Sequence, residues 1–237
     1  MPRRPDDDRV PRATARLSRE AILAAGIALA DRDGLDQLSM RRLGQELGVN
    51  PMSVYHHMRD KEALLDAMVD AVVAGIAPDH KTGAGTGAVA WTDEVRSLVQ
   101  AARRTMLGHP WTVRVLQQRD SPTPAMLRHI DRVLAALRRG GCSLPLSHHA
   151  LHLLGSRLLG FSQDLFDDSP ANRADPATLA VQFRAWADVY PHVVELAAAA
   201  SHEGGLGGCD DDAEFDFALD LLLEGLERRR VAESGAP

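Results

Sequence analysis

The side chains with the clearest chemical use lie between positions 50 and 61, in a short polar and aromatic segment. It contains Asn50, Pro51, Met52, Ser53, Tyr55, His56, His57 and Lys61. Hydrogen-bonding groups and an apolar tip near the start of a short helix are what contact with base edges in the DNA major groove requires. The segment therefore favours a helix-turn-helix that binds DNA, and a solvated helical hairpin is the alternative.

A first helix must hold this segment in place. Ser39 is a good N-cap residue, and Met40, Leu43 and Leu47 recur on one helical face. Gly48 stands where a left-handed residue would end that helix, and a tight turn follows. The pattern predicts the supporting helix of the motif.

The second helix is predicted to be short, about two turns. Asn50 can cap it, and Pro51 falls at its first position, where the missing N–H costs nothing. Val54 and Met58 are four residues apart and can face the core, which leaves the polar residues on other faces. The basic residues that flank the motif are candidate phosphate contacts: Arg41, Arg42 and Lys61.

Charge is distributed unevenly along the 237 residues, whose net charge is −6. Residues 1–65 hold 11 basic and 10 acidic side chains, whereas the remainder holds 16 basic and 23 acidic ones. A near-neutral N-terminal segment beside an acidic remainder fits a small DNA-contacting head on a body that DNA does not touch.

Composition narrows the class of protein further. Hydrophobic residues make up 45% of the chain, and no apolar run approaches the length of a transmembrane helix. The two cysteines, Cys142 and Cys209, lie far apart and no signal peptide precedes them, which favours a reduced cytoplasmic protein. The sequence around Cys142 offers no histidine–aspartate arrangement that would activate the thiol as a nucleophile, so a structural role for this thiol is expected.

Local composition predicts three segments. Residues 1–16, with three prolines, five arginines and three consecutive aspartates, are expected to form a disordered arm. Residues 17–77 form a helix-turn-helix domain, in which Ser18 begins the first helix and Asp60 caps a connecting fourth helix. A glycine-rich stretch between Pro78 and Ala90 then marks the boundary to a domain over 90–232.

The rest of the chain shows helical spacing, with no alternating strand pattern. The expected helices cover 91–107, 112–118, 124–139, 146–166, 183–200 and 213–230, and the loops cover 167–176 and 204–212. The fold class is therefore all-α. The glycines at 204–208 follow no strand, so a flexible loop is preferred to a phosphate-binding loop.

From Leu17 to Ile76 the order of these features resembles the tetracycline repressor (TetR) family of bacterial transcription regulators. The resemblance rests on Arg19-Glu20-Ala21-Ile22, Gly34-Leu35, Ser39-Met40-Arg41-Arg42-Leu43-Gly44, Leu47-Gly48-Val49, Val54-Tyr55-His56-His57-Met58 and Asp60-Lys61-Glu62-Ala63-Leu64-Leu65. It covers about a quarter of the chain.

The resemblance implies a three-helix DNA-binding domain, joined by a fourth helix to an all-helical regulatory domain that dimerises and binds a small molecule. It places Arg41 on the first helix of the motif and Lys61 at a phosphate contact. The recognition helix then carries Asn50, Pro51, Met52, Ser53, Tyr55, His56 and His57, and Arg42 matches less securely. A homodimer would present two such helices, about 34 Å apart, to a near-palindromic operator.

The C-terminal body resembles the regulatory domain of the tetracycline-repressor subgroup through Trp91, Arg103-Arg104 and the helix stop at 137–142. The two histidines that the subgroup uses at its magnesium-drug site fall at Leu116 and Ala77, which offer no metal ligand. The chain is therefore expected not to bind magnesium-tetracycline through those contacts. No cofactor or resident metal is predicted.

Several residues are candidates for the small-molecule site and for the dimer. Met106, Trp111 and Phe161 are proposed to line an apolar pocket, although each is an equally good core residue. Phe215, Leu219, Leu222 and Leu226 form a stripe on the last helix that, with the helix 146–166, is predicted to build a four-helix dimer interface.

The sequence also contains residues that bear on other functions. His148 and His152 share a helical face at a spacing that zinc sites use, but no nearby carboxylate completes the set, so a polar patch is preferred. A helical enzyme, a small-molecule carrier or a protein–protein adaptor remains an alternative to DNA binding. An enzyme would need a catalytic constellation, and the sequence offers neither a convincing acid–base pair nor a nucleophile with its partner.

Overall fold

A computed structural model describes residues 17–78, 90–119, 121–159, 176–199 and 211–235. Apart from one 3₁₀ turn over Leu35–Gln37, the regular elements in these ranges are α-helices. They are α1 (Arg19–Asp33), α2 (Met40–Glu46), α3 (Pro51–Tyr55), α4 (Lys61–Ala74), α5 (Trp91–Gly108), α6 (Trp111–Gln117), α7 (Pro124–Arg139), α8 (Leu144–Leu159), α9 (Pro176–Ala187), α10 (Pro191–Ala199) and α11 (Asp211–Ser234). The all-α prediction is confirmed.

Side-chain caps fix where the first four helices begin. The Ser18 hydroxyl accepts a hydrogen bond from the Ala21 amide at 3.2 Å, and an Asp60 carboxylate oxygen accepts one from the Ala63 amide at 2.7 Å. Each contact satisfies an amide that has no partner inside its helix. The hydrogen bond from the Ala63 amide, together with one from Arg59, also holds the pKa of Asp60 below its ordinary value.

The chain packs as two compact units. Of the described residues, the first contains those within 17–78 and 100–131, and the second contains those within 90–99 and 132–235. The described residues of 100–131 pack with the N-terminal helices, and the domain boundary that the sequence indicates between 77 and 90 stays a prediction. The first unit therefore contains α6 and parts of α5 and α7 beside α1–α4.

The core of the first unit lies where α1 and α4 pack together. Ile22 and Leu29 from α1 and Leu64 and Met68 from α4 are fully buried. At Gly26 an added Cβ would lie 3.0 Å from the Met68 sulfur, so the absence of a side chain there lets the two helices approach closely. These two helices form the base on which the helix-turn-helix rests.

Four aspartates of the N-terminal helices bind the segment 109–125 within the same unit. Asp31 accepts hydrogen bonds from the Trp111 indole at 2.7 Å and contacts His109 Nδ1 at 2.9 Å. The others contact this segment in the same way: Asp36 with Arg114, Asp66 with Arg119, and Asp70 with the Ala125 amide. Polar contacts thus connect α6 to α1 and to the 3₁₀ turn. They also connect Arg119, just after α6, and the start of α7 to α4.

The second unit has an apolar core in which α8 and α11 pack against each other. It includes Val95, Leu98 and Val99 of α5, Leu137 of α7, Leu146 and Leu154 of α8, and Phe215, Leu219, Leu223 and Leu226 of α11. At Gly140, just beyond α7, an added Cβ would lie 2.6 Å from Cδ1 of Trp91. The Trp91 indole also donates to Glu227 at 3.2 Å.

This core corrects the expected dimer stripe on the last helix. Phe215, Leu219 and Leu226 are buried inside their own unit, and Leu222 is partly buried against the same core. Spacing identified an apolar face, but it does not say whether that face meets the same chain or a second copy. The large apolar side chains that α11 leaves exposed are others: Phe217, Leu221 and Val231.

Other helix predictions differ in detail. The recognition helix α3 has five residues, shorter than the expected two turns, and a turn at His56 and His57 follows it. The single helix expected over 183–200 is two helices, because Pro191 begins a new one. Residues 1–16, 79–89, 160–175 and 200–210 lie outside the described residues, so the predictions for them stay predictions. The loop predicted over 204–212 is too long at its end, because α11 begins at Asp211.

No helix in the described part of the chain is both long enough and apolar enough to cross a membrane.

Candidate nucleic-acid interface

The helix-turn-helix consists of α2, a tight turn and α3. The Ser39 hydroxyl accepts a hydrogen bond from the Arg42 amide at 3.2 Å, and Gly48 adopts a φ of 66° after the end of α2. The Asn50 side-chain oxygen caps α3 by accepting from the Met52 amide at 2.9 Å, and Pro51 is the first residue of that helix. The capping predictions for both helices are confirmed.

Close backbone packing holds the two helices at their angle. The Val49 amide donates to the Gly44 carbonyl at 2.9 Å. A Cβ at Gly44 would lie 3.1 Å from both the Pro51 Cα and the Val49 carbonyl oxygen. Since these neighbours are backbone atoms, α2 can meet the start of α3 only where it has no side chain.

The recognition helix divides cleanly into a buried and an exposed side. Val54 is fully buried and Met58, just after the helix, is nearly so. Met52 is 62% exposed and Tyr55 44% exposed. The remaining candidates are arranged as follows: Asn50, His56 and His57 are exposed, and Pro51 and Ser53 are half-buried. An apolar and hydrogen-bonding surface therefore faces solvent while its supports are fixed in the core.

The basic candidates differ in how free their charged groups are. Arg41 is exposed on α2. Arg42 is engaged within the chain, because its guanidinium binds Asp33 at 2.5 Å and Gln37 at 3.1 Å. The Lys61 ammonium group donates to the Leu35 carbonyl at 3.3 Å from the first turn of α4. The structure thus gives Arg42 a role in holding α2 to the end of α1, and contact between Arg42 and phosphate stays a prediction.

The start of α1 adds a residue that the sequence did not single out. The pKa of Glu20 lies below its ordinary value because its carboxylate accepts hydrogen bonds from its own backbone amide and from Ser18, with smaller effects from the charges of Arg19 and His57. Arg19, the exposed first residue of α1, is a further candidate phosphate contact. Its signal in the sequence is a basic residue at a helix start.

Family comparisons match this architecture along most of the chain. A family model described as bacterial regulatory proteins, tetR family, matches residues 22–68. A second, described as the tetracyclin repressor-like C-terminal domain, matches residues 83–230. The chain belongs to the TetR family. It is a DNA-binding transcription regulator, as the helix-turn-helix predicted.

Individual TetR-family relatives are similar over nearly the whole chain. The HTH-type transcriptional repressor DrrR1 of Streptomyces coeruleorubidus is 29% identical over 95% of this chain and 81% of its own length. An HTH-type transcriptional regulator of Saccharopolyspora erythraea is 31% identical, with 89% and 84% covered. The crystal structure of ActR from Streptomyces coelicolor in complex with actinorhodin has a TM-score of 0.68 at 26% identity, with 90% and 96% covered.

The candidate ligand residues of this TetR-family chain are held by their own neighbours. Met106 and Trp111 are buried, the Trp111 indole binds Asp31, and the Met106 sulfur accepts a hydrogen bond from the Thr112 hydroxyl at 3.0 Å. Phe161 lies outside the described residues. These contacts are sufficient to explain Met106 and Trp111 as packing residues, and a ligand role for the three stays a prediction.

The two positions that correspond to magnesium-site histidines in the tetracycline subgroup lie in the first unit. Leu116 is half-buried on α6 and Ala77 is exposed after α4. Neither side chain can coordinate a metal ion. Failure to bind magnesium-tetracycline through these positions therefore stays a prediction.

Three other candidate sites have side chains that are less suited to binding or catalysis. The rings of His148 and His152 are 4.6 Å apart and exposed, but no three metal-binding side chains come together within the described ranges. Cys142 is buried, and burial raises the pKa of its thiol, which opposes a nucleophilic role. A groove between α5 and α11 is crossed by an ion pair from Arg96 to Asp220 at 2.5 Å. The helix-turn-helix remains the best-supported functional site.

Proposed function

We propose that this chain is a ligand-responsive transcriptional repressor that binds a near-palindromic operator as a homodimer in the cytoplasm. The observation that carries the proposal is the recognition helix, which exposes Met52 and Tyr55 while Val54 and Met58 anchor it in the core. A methionine and a tyrosine this exposed bury little apolar surface within the chain, whereas they suit contacts in a DNA groove.

The exposed groups fall into two roles at the operator. Met52, Ser53 and His56 lie on the recognition helix or just after it and are assigned to base edges, where Met52 suits the methyl group of thymine. Arg41 and Lys61 lie on the flanking helices and are assigned to phosphates, as is the Tyr55 hydroxyl. Base contacts would set the sequence preference, and phosphate contacts would set register and salt dependence.

The last helix and α8 supply the surface for a second copy. Phe217 and Leu221 lie four residues apart on one side of α11, 62% and 50% exposed, and Leu153 of the packed helix α8 is 48% exposed. Three large apolar side chains on two neighbouring helices favour burial against the same surface of a partner. This surface replaces the stripe that the sequence indicated.

A route for ligand response is present inside the first unit. Asp66 and Asp70 of α4 bind Arg119 and the Ala125 amide, and Asp31 of α1 binds Trp111. A shift of α6 would therefore pull on the helices that carry the recognition helix. A ligand that favours one arrangement changes operator affinity by its coupling energy, typically about 1–3 kcal/mol. The ligand need not contact DNA.

Tyr55→Phe and Lys61→Ala are expected to weaken operator binding without unfolding the chain. Loss of one hydroxyl contact should cost about fivefold in affinity, because a hydrogen bond is worth about 1 kcal/mol. Lys61→Ala should also lower the slope of log affinity against log salt by about one unit, since one phosphate contact is lost. The measurement is a mobility-shift titration with the DNA upstream of the chain's own gene at several salt concentrations.

Arg128→Ala, at an exposed position on α7, serves as the control and should leave operator affinity unchanged. Wild-type affinity and salt slope in both interface variants would show that the wrong face had been assigned. A wild-type chain that retards no upstream fragment at low salt would instead favour the helical enzyme, carrier or adaptor.

Phe217→Glu combined with Leu221→Glu should convert the dimer into monomers. A carboxylate at each position would be buried without a partner if a second copy covers this surface. Sedimentation at micromolar concentration should show a halved mass, and operator affinity should fall at least about tenfold because one head alone binds weakly. Leu127→Glu, another exposed leucine, should remain dimeric; dimeric Phe217/Leu221 variants would locate the interface elsewhere.

A further inference from the structure

The outer face of α8, in the second unit, exposes no aspartate, glutamate, lysine or arginine within residues 144–158. Its exposed residues are Leu144, Pro145, His148, His149, His152, Leu153 and Ser156. The exposed positions of α7 and α11 are instead rich in charged side chains. Depletion of charged residues is typical of the core of a protein interface. This face is therefore where a second copy is expected, beside Phe217 and Leu221 of the packed helix α11.

Two of the three histidines on this face form a pair. Successive residues of an α-helix are about 100° apart, so His148 and His152 point within about 40° of each other. Their ring centres are 4.6 Å apart. His149 points about 100° away from His148, and the centres of those two rings are 5.8 Å apart. His149 thus lies to one side of the pair.

The separation of the paired rings suits joint coordination of a transition-metal ion. Zn–N bonds of about 2.0–2.1 Å in a tetrahedral site put the centres of two imidazole rings about 5 Å apart. The observed 4.6 Å between His148 and His152 is within a small side-chain rotation of that value. Imidazole is a ligand that zinc, copper and nickel favour. One chain supplies two ligands, since no three metal-binding side chains come together in the described part of the chain.

A two-fold axis would supply the other two ligands. In an isologous interface, residues near the axis meet their own counterparts on the second copy. A second α8 packed on this face brings another His148 and another His152, and four imidazoles complete a tetrahedral set. The exposed residues of α8 include no carboxylate that would pair with the imidazoles instead. A dimer therefore removes the need for the carboxylate that a site within one chain would require.

We propose that His148 and His152 of one chain, together with the same pair of a second copy, bind a divalent transition-metal ion such as zinc. The inference rests on the proposed homodimer and adds a metal site to it. The ion binds the dimer more tightly than it binds either separate chain, so it stabilises the dimer. At a free metal concentration about one hundred times its dissociation constant, the dissociation constant of the dimer falls about a hundredfold.

Titration with cobalt(II) tests the site on the full-length chain, purified without a histidine tag. Cobalt(II) replaces zinc in tetrahedral sites and then absorbs visible light much more strongly than the hydrated ion does. At about pH 7.5, where imidazole is available as a neutral ligand, the visible band should reach its maximum at one cobalt per two chains. Zinc should then displace cobalt and remove the band, because its affinity for nitrogen ligands is higher.

His148→Ala and His152→Ala should each abolish the visible band, since each removes two of the four ligands from the dimer. His149→Ala is the matched control, a neighbouring exposed histidine on the same helix, and should keep the intensity and the stoichiometry. Sedimentation should show that zinc tightens the dimer in wild type and in His149→Ala but not in His152→Ala. His152→Gln carries the same test if the alanine variant fails to fold by circular dichroism.

Three results would overturn the metal site: saturation at one cobalt per chain, no band in excess cobalt, or a band that survives both His148→Ala and His152→Ala. Failure of the site is separable from failure of the proposed function. A dimer that retards operator DNA in the presence of a chelator but gives no band keeps the repressor and rejects the site. A band at one cobalt per two chains without operator retardation keeps the site and rejects the repressor.

Discussion

Gly140→Ala is expected to lower the free energy of unfolding by about 1–3 kcal/mol, although it adds a single methyl group. The new Cβ would lie 2.6 Å from Cδ1 of Trp91 and 2.7 Å from its Cβ. The indole cannot retreat easily, because its N–H donates to Glu227, which is itself held by Arg230. Either α5 or the end of α7 must shift, and both contribute to the core of the second unit. Chemical denaturation followed by circular dichroism measures the loss.

Gly108→Ala is the matched control for this prediction. Gly108 is the last residue of α5, and an added Cβ there has no neighbour within 4 Å. The same substitution should therefore be neutral or slightly stabilising, since alanine favours the helix by about 1 kcal/mol over glycine. Equal destabilisation by both substitutions would mean that backbone propensity, and not the close approach of Trp91, governs position 140.

Gly44→Val is expected to abolish operator binding while the second unit stays folded. A side chain at position 44 would press on the Pro51 Cα and the Val49 carbonyl oxygen, both 3.1 Å from the added Cβ. These backbone atoms define the turn, so relief requires α3 to move away from α2. Since side chains on α3 must reach base edges together, a loss of at least about a hundredfold is expected, and a mobility-shift titration measures it.

Gly48→Ala tests the effect of backbone conformation in the same turn without a steric clash. Gly48 has a φ of 66° and no neighbour within 4 Å of an added Cβ. Alanine there should cost about 1–2 kcal/mol in stability, because left-handed backbone is unfavourable for residues with a side chain. At a temperature where that variant is folded, its operator affinity should be near wild type. Retained operator binding by Gly44→Val would contradict the close-packing argument.

Features that depend on neighbouring residues were predictable from the sequence. The caps at Ser18, Ser39, Asn50 and Asp60 each bind an amide two or three residues away, and each is present in the structure. The division of the recognition helix followed from the four-residue interval between Val54 and Met58. Chemistry and spacing within one turn of helix are sufficient for such predictions.

Features that depend on distant partners were not predictable. The apolar stripe of α11 was visible in the sequence, but only tertiary packing shows that Phe215 and Leu219 face their own core. The engagement of Arg42 needs Asp33, which reaches it from the end of α1. The contacts of Asp31 with His109 and Trp111 join residues nearly eighty positions apart. Periodicity identifies a face, whereas only three-dimensional structure identifies what covers it.

The arginines of the segment 109–125 also act as built-in counterions for the DNA-binding helices. Asp36 and Asp66 would repel a polyanion, but Arg114 and Arg119 neutralise them from within the same unit. In a fragment that ends at residue 78, those carboxylates would lack their arginine partners. The fragment would therefore associate with DNA more slowly at low ionic strength. The segment that we propose to transmit the ligand response thus also neutralises acidic side chains of the DNA-binding unit.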